Sequence, residues 1–302
     1  MKLTRILMAA AATFMIATSA QAQGKISEFR IGILGGENAS DRLRSNACIE
    51  EKTEALLGVP TKLFAPADYN GVIEGLLGGN LDLAWLGASG YAKVYLTNPN
   101  AVEPVLTKIN TDGSFGYYSI GFTRVESGVK TLADMKGKKF GFGDPNSTSG
   151  YLIPSIEIPN AGYDMKPGKH FGDVVFTGGH EQTIVAVVNG DIDAGVTWAD
   201  GLGNWEDGFN SGALRKAADA GLVDMTQLRE IWRSKIIPEG PIVVRKDLPT
   251  DVKLKMVGML ASLPSMDPEC AYGFMAGKIK AIAPISHADY EIIVEARRRK
   301  SS

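Results

Sequence analysis

Two rounds of alternating strand and helix signals are the feature that most constrains how this chain can fold. In the first round, β-rich runs occur at Phe29–Leu34, Thr61–Phe64 and Leu81–Leu86, and helical patterns at Ala39–Leu57, after Asp68 and after Gly90. Strands that are joined by helices usually lie parallel in one sheet. The first third of the chain therefore predicts an α/β unit.

The alternation starts again after residue 125. Predicted strands lie at Lys139–Phe142, Asp173–Thr177 and Ile192–Thr197, and predicted helices at Val129–Met135, after Gly150 and at Glu181–Val188. Residues 236–245 predict a further strand that prolines interrupt, and the tail predicts helices over 252–263 and 287–298. This pattern indicates a second α/β unit and a late return to the first.

Two units with one strand leading in and one strand returning predict two lobes joined by two crossings, near residues 119–125 and 235–243. Lobe one would then comprise residues 23–122 plus 238–302, and lobe two would be residues 123–237, inserted in it. Each lobe is expected to be a mainly parallel sheet flanked by helices. A cleft between two such lobes is a natural ligand site that closes by hinge motion.

The first 22 residues predict a signal peptide. Lys2 and Arg5 precede an apolar run from Ile6 to Ala17, and Ala20-Gln21-Ala22 resembles a cleavage site. The apolar run is shorter than the roughly 20 residues that a helix needs to span a bilayer. No cysteine follows the site, so we expect an exported, soluble protein without a lipid anchor. Cleavage would leave 280 of the 302 residues, which is long for a single core.

Charge and cysteine content exclude some classes of protein. Cleavage of the leader would take the formal net charge from −2 to −4, and the chain has no long basic run, which argues against nucleic acid or an anionic membrane as the main partner. Cys48 and Cys270 could form one disulfide or remain as two buried thiols, and the sequence leaves both open. Without a cluster of cysteines and histidines, we expect no metal site and no cofactor.

The sharpest chemical signal is the segment from Asp144 to Gly150, where a predicted strand ends and a helix begins. Ser147, Thr148 and Ser149 are three consecutive hydroxyl residues at that helix start. Free backbone N–H groups and the helix dipole favour an anion there, and the hydroxyls can donate to several oxygens of one tetrahedral group. A plain helix cap is the alternative interpretation. We predict an oxyanion site.

An enzyme acting on phosphate esters is the main alternative from another class. A serine nucleophile would need a neighbouring base and its orienting partner, and the chain lacks the Gly-x-Ser-x-Gly motif. Of the three histidines, His180 alone falls near the predicted site. We therefore expect a binding protein rather than an enzyme.

The segment from Asp144 to Gly150 resembles the helix-start motif of phosphonate-binding proteins of ABC importers. Similar matches follow the family order along nearly the whole mature chain, at residues 64–69, 116–119, 131–139 and 285–290. The resemblance implies a two-lobed, type II periplasmic binding fold with the ligand in the interlobe cleft. It also implies that Ser147, Thr148 and Ser149 hold a phosphonate, assisted by Tyr69 from lobe one and His180 from lobe two.

Family members that bind 2-aminoethylphosphonate hold its ammonium with two carboxylates. Asp200 resembles one of them, and Glu239 could replace the other, although this chain has Gly240 where the second acid is expected. Leu86 is a further departure, because some members have a tyrosine there that reaches the phosphonate. Trp198 adjoins Asp200 and could hold a methylated ammonium through a cation–π contact.

The resemblance thus predicts a periplasmic, monomeric solute-binding component that delivers a phosphonate to an ABC permease and its ATPase. The expected ligand is 2-aminoethylphosphonate or a related aminophosphonate. Phosphate, phosphite or a phosphorylated amine would also fit the oxyanion site. A sensor subunit that docks on a membrane receptor is an alternative that the sequence does not separate from transport.

Overall fold

The computed structural model describes residues 26–301, and the predicted signal peptide lies outside the described residues. The strands are β1 (Phe29–Gly32), β2 (Thr61–Phe64), β3 (Leu83–Trp85), β4 (Val102–Ile109), β5 (Gly116–Arg124), β6 (Lys139–Phe142), β7 (Asp173–Phe176), β8 (Ala194–Ala199), β9 (Leu228–Arg233), β10 (Ile237–Pro238), β11 (Ile242–Arg245) and β12 (Ala281–Pro284).

The α-helices connect and cover these strands. They are α1 (Ala39–Leu57), α2 (Tyr69–Leu77), α3 (Ala88–Thr97), α4 (Pro154–Asn160), α5 (His180–Asn189), α6 (Ala213–Asp219), α7 (Thr250–Met266), α8 (Pro268–Phe274) and α9 (Glu291–Ser301). Short 3-10 turns lie at Val125–Ser127, Leu132–Met135, Trp205–Asp207, Met225–Gln227 and His287–Tyr290, and a π-helical turn at Thr148–Leu152.

Within the described residues the strands form two six-stranded sheets, and each sheet with its helices forms one lobe. The sheet of lobe one has the order β12-β4-β11-β3-β1-β2, and that of lobe two the order β10-β5-β8-β6-β7 with β9 also paired to β5. This is the two-lobed α/β architecture that the sequence predicts.

Strand direction differs from the expectation of mainly parallel sheets. The strands predicted from the β–α alternation are parallel, as in the pairs β1–β2, β1–β3, β6–β7 and β6–β8. The strands near the crossings, β5 and β11, pair antiparallel with their neighbours. A strand that enters from the other lobe needs no crossover helix, so it is free to run the opposite way.

The first crossing lies earlier than expected. Strand β5 covers most of the expected crossing at 119–125, but it pairs with β8 and β9 in lobe two. The chain therefore leaves lobe one between β4 and β5, at residues 110–115, and residues 116–122 belong to the sheet of lobe two. It returns at residues 239–241, between β10 in lobe two and β11 in lobe one.

Close backbone packing explains the glycine at the return crossing. A Cβ atom on Gly240 would lie 1.9 Å from the carbonyl oxygen of Leu86. The Gly240 carbonyl accepts hydrogen bonds from Trp85 Nε1 at 3.0 Å and Thr107 Oγ1 at 3.1 Å. Position 240 therefore has no room for the acidic side chain that the family resemblance predicts there.

The core of lobe one is closed by a disulfide. Cys48 in α1 and Cys270 in α8 are bonded, with their Cα atoms 5.9 Å apart. Cys270 is buried in the cluster that includes Phe29, Ile31 and Met256. The bridge links residues 222 positions apart and resolves the choice that the sequence left open. Along the described part of the chain, no helix is long and apolar enough to cross a membrane.

Candidate functional site

The predicted oxyanion site lies where β6 ends and the π-helical turn begins. Ser147 caps this turn, because its Oγ accepts a hydrogen bond from the backbone N–H of Gly150 at 2.9 Å. The preceding turn is fixed by Asp144, whose Oδ1 accepts from the backbone N–H of Asn146 at 2.6 Å. The sequence thus places three hydroxyl residues in succession at the start of a helical segment.

These three hydroxyl residues are buried rather than turned to bulk water. Ser147, Thr148 and Ser149 are each at most 2% exposed, and all three line a cavity of about 800 Å³ between the lobes. A plain capping serine or threonine is usually solvated on its outer side, so the burial of all three favours a binding role over a simple cap.

His180 lies beside Ser147 at the start of α5. Its Nε2 is 3.3 Å from Ser147 Oγ, and its Nδ1 is 3.2 Å from Thr197 Oγ1. Burial lowers the pKa of His180 from its ordinary value of 6.5 to about 4. The imidazole is therefore neutral near pH 7, with one ring nitrogen donating and the other accepting.

Tyr69 approaches the same place from lobe one, at the first turn of α2. Asp68 caps this helix by accepting a hydrogen bond from the backbone N–H of Gly71, and the backbone N–H of Tyr69 donates to Asp144 Oδ2 at 3.3 Å. Burial raises the pKa of Tyr69, while a hydrogen bond with the Ser147 side chain opposes that rise. The phenol therefore stays protonated and can donate to an anion.

Tyr117 is a site residue that the sequence reasoning missed. It lies in β5, lines the cavity and is hydrogen-bonded to Ser149 and Thr148, while burial raises its pKa. Its ring packs edge-on against Trp198, with 6.3 Å between the ring centroids. The family resemblance covers residues 116–119, but the direction of the Tyr117 side chain depends on the pairing of β5 with β10 and β8, which the sequence does not specify.

Direct contacts join the two lobes around the oxyanion site. The backbone N–H of Ser89, in the first turn of α3, donates to Thr148 Oγ1 at 2.9 Å. Arg297 of α9 donates to Ser89 Oγ at 2.6 Å and to Asn146 Oδ1 at 2.8 Å. One hydroxyl of the predicted site is thus held directly by the opposite lobe.

A second set of contacts lies at the start of α1. Lys216 in α6 forms an ion pair of 2.9 Å with Glu37, and the backbone N–H of Asn38 donates to Glu181 at 3.0 Å. A Cβ on Gly179 would lie 2.5 Å from the Cα of Gly36, so the two backbones touch. The lobes are therefore in contact on both sides of the cavity.

The predicted amine pocket is arranged differently from the expectation. Trp198 and Glu239 line the cavity, but Asp200 does not. Asp200 is buried, and its Oδ1 accepts from the backbone N–H of Leu202 at 3.1 Å. The structure therefore brings one of the two predicted carboxylates to the cavity wall.

A buried lysine that the sequence reasoning missed pairs with Glu239. Lys108 in β4 is 1% exposed, and its Nζ lies 3.1 Å from Glu239 Oε1. The same ammonium lies over two indole rings, 5.0 Å from the centroid of Trp198 and 5.6 Å from that of Trp85. The cation–π contact predicted at Trp198 is thus made by the chain itself.

The ionisation of these groups reflects burial opposed by pairing. Burial raises the pKa of Glu239, and the Lys108 ammonium acts against that rise. Burial also raises the pKa of Asp200, and Lys108 again opposes it. A buried pair of opposite charges presents much less field to a ligand than either charge alone.

Comparison with known proteins gives the family. The family of periplasmic substrate-binding proteins of phosphonate ABC transporters matches residues 40–290. The chain belongs to this family. Its members are substrate-binding components of transporters rather than enzymes, as the sequence predicts.

Two curated relatives are each 30% identical to the chain. The "Phosphate-import protein PhnD" of Mycolicibacterium smegmatis aligns over 90% of this chain and 86% of its own length. The "Phosphonates-binding periplasmic protein" of Escherichia coli aligns over 81% of this chain and 68% of its own length.

Solved structures share the fold. PhnD1 from Prochlorococcus marinus, solved in complex with methylphosphonate, has a TM-score of 0.74 at 20% identity and covers 91% of this chain and 98% of its own. A binding protein component of an ABC phosphonate transporter from Pseudomonas aeruginosa has a TM-score of 0.73 at 22% identity, covering 91% of this chain and 89% of its own. At this level of identity the likeness establishes the fold.

Proposed function

We propose that this protein captures a phosphonate or a closely related phosphorus oxyanion in the cavity between its lobes and delivers it to an ABC permease. The observation that carries the proposal is the burial of three consecutive hydroxyls, at Ser147, Thr148 and Ser149, beside Tyr69 and a neutral His180. Five donors converging on one place suit the three oxygens of a phosphonate group.

Closure of the lobes follows from how these groups are distributed. The hydroxyls and His180 belong to lobe two, whereas Tyr69 belongs to lobe one. A ligand that contacts both lobes binds the closed form better than the open form and so shifts the equilibrium between them. The closed form would then be the one that the permease recognises.

The proposal is tested by calorimetric titration of the mature protein with methylphosphonate, phosphate and phosphite. We expect binding of at least one of them, and Ser147→Ala should weaken it by about 1.5–3 kcal/mol, because a charge-assisted hydrogen bond is lost. Ser262→Ala is the matched control, since Ser262 Oγ donates to the Met259 carbonyl within α7, in lobe one. Equal affinity in Ser147→Ala and wild type would contradict the site.

Delivery to a permease, rather than signalling to a receptor, is a separate part of the proposal. Liganded protein should stimulate ATP hydrolysis by the reconstituted permease and ATPase, and unliganded protein should do so much less.

We further propose that residues 1–22 are removed on export and that the mature protein is a monomer without a lipid anchor. Mass spectrometry and light scattering of periplasmic extracts test this part.

A further inference from the structure

The end of the cavity beyond the oxyanion site is here called the tail subsite, formed by Trp85, Trp198 and Glu239 on the cavity wall and by Lys108, whose ammonium contacts all three. Tyr117 contacts both Ser149 of the oxyanion site and the ring of Trp198, so the tail subsite adjoins the oxyanion site. A substituent on a phosphorus atom bound at the oxyanion site would therefore point into the tail subsite. The composition of this subsite therefore decides which substituents fit.

The tail subsite resembles a cation-binding pocket that already holds its cation. A carboxylate beside two indole rings is the usual set of contacts for an ammonium group. In this chain the Lys108 ammonium makes these contacts, at 3.1 Å from Glu239 Oε1 and at 5.0 and 5.6 Å from the two ring centroids. The ammonium of a bound aminophosphonate would be the second one in this subsite. It would meet a Glu239 carboxylate already paired with Lys108, and the positive charge of Lys108 beside it.

Neither of the two predicted positions supplies a second carboxylate beside Glu239 on this part of the described cavity wall. Asp200 is buried away from the cavity lining and accepts backbone hydrogen bonds. Position 240 cannot supply one either, because a Cβ there would lie 1.9 Å from the Leu86 carbonyl oxygen. Leu86 itself lines the cavity and is fully buried, so the neighbouring wall is apolar.

We propose that Lys108 is a specificity-determining residue: by occupying the tail subsite with the chain's own ammonium, it selects phosphorus oxyanions with small uncharged substituents and disfavours aminophosphonates. This inference rests on the proposed function and names the ligand class of the same cavity. An anionic tail is disfavoured too, because the Lys108 ammonium is already paired with Glu239 and the nearby Glu239 and Asp200 carboxylates would carry the same charge as the tail. Compact ligands such as methylphosphonate, ethylphosphonate or phosphite fit this chemistry.

The test compares two ligands that differ by one amine. Calorimetry of the wild-type protein should show ethylphosphonate binding about a hundred-fold more tightly than 2-aminoethylphosphonate, since placing like charges together costs several kcal/mol. Lys108→Met frees Glu239, and should shrink that preference at least about ten-fold or reverse it. Lys253→Met, which removes a lysine paired with Glu103 outside the cavity, should leave the preference unchanged.

The outcomes separate this inference from the function on which it rests. If 2-aminoethylphosphonate binds the wild type as tightly as ethylphosphonate, the role of Lys108 is wrong while the phosphonate site stands. If no phosphorus oxyanion binds, the proposed function fails and this inference fails with it. The wild-type comparison decides the question even if Lys108→Met does not fold.

Discussion

The two ends of the interlobe cavity differ in where the hydrogen bonds and charges of their polar side chains go. At the oxyanion site, neutral donors from both lobes converge around Ser147. At the tail subsite, Lys108 and Glu239 form an ion pair with each other, although among the described residues Glu239 Oε1 has no partner with hydrogen-bond geometry. From residue type alone, the oxyanion site would bind an anion and the tail subsite a cation. Because Lys108 and Glu239 pair with each other, only the oxyanion site remains open to a charged ligand group.

This difference matters because burial makes unpaired charges costly. A buried carboxylate without a partner attracts a cationic ligand, and the same carboxylate with a buried lysine does not. The contrast predicts that the oxyanion site controls affinity and the tail subsite controls selectivity and stability.

The largest effect is expected when the Lys108–Glu239 ion pair at the tail subsite is broken. Lys108→Met leaves Glu239 buried without its partner and should lower the free energy of unfolding by about 3–5 kcal/mol. The double variant Lys108→Met/Glu239→Gln removes both charges and should recover most of that loss. Denaturant unfolding of both variants measures it, and a single variant as stable as the wild type would show that the pair is not stabilising.

The next effect concerns the neutral histidine at the oxyanion site. Because the pKa of His180 in the folded protein is about 4, below its ordinary value of 6.5, the unfolded chain takes up this proton first as pH falls. Stability should therefore drop between about pH 6.5 and pH 4, by up to about 3 kcal/mol, and be fully present above that window.

His180→Gln should remove this part of the pH dependence, and His170→Gln, on a side chain that bonds the Leu132 carbonyl in lobe two, should retain it. Thermal unfolding from pH 4 to pH 8 compares the three proteins. An unchanged profile in His180→Gln would contradict the assignment of a neutral, buried imidazole.

A smaller effect is expected at the return crossing that supports the tail subsite. Gly240→Ala places a Cβ against the Leu86 carbonyl oxygen, and overpacking of this kind costs about 1–3 kcal/mol. Gly258→Ala is the control, because a Cβ at that position in α7 would meet no described atom within 4 Å apart from its chain neighbours and the helix's own backbone. Equal unfolding midpoints for the two variants would mean that the crossing tolerates a side chain.

The smallest effect is expected at Tyr117, which lies between the oxyanion site and the tail subsite. Tyr117→Phe removes a hydroxyl that bonds Ser149 and Thr148, and should weaken methylphosphonate binding by about 0.5–1.5 kcal/mol. Its neighbour Tyr118 is the control, because Tyr118→Phe leaves the contact of that ring with Arg233 in place. Calorimetry at one pH and salt concentration compares the two, and equal losses would exclude a specific role for Tyr117.

The sequence predicted those parts of the fold and site that depend on local patterns. Helix α1 and strand β2 have the predicted bounds, because hydrophobic period and capping residues are local signals. The helix-start pattern alone singles out Ser147, whereas Tyr69 and His180 are expected only from the family resemblance. The three residues lie together because each is at the start of a helical segment that follows a strand or a turn.

What the sequence did not predict depends on pairing between distant strands. Strand β4 carries Lys108, and its side chain reaches Glu239 because β11, which begins three residues after Glu239, lies beside β4. Strand β5 brings Tyr117 to the cavity by pairing with β8 and β10 in lobe two, whereas the sequence predicted residues up to 122 in lobe one. Antiparallel partners that are about 70 or more residues apart in sequence leave no periodic signal in either segment.

The most direct test of the account is a crystal structure of the mature protein with methylphosphonate. We expect the phosphonate oxygens within hydrogen-bonding distance of Ser147, Thr148, Ser149, Tyr69 and His180, with the Lys108 ammonium still paired to Glu239. An anion bound elsewhere, or a Lys108 ammonium that leaves Glu239 to contact the phosphonate, would contradict the division of the cavity into an oxyanion site and a self-paired tail subsite.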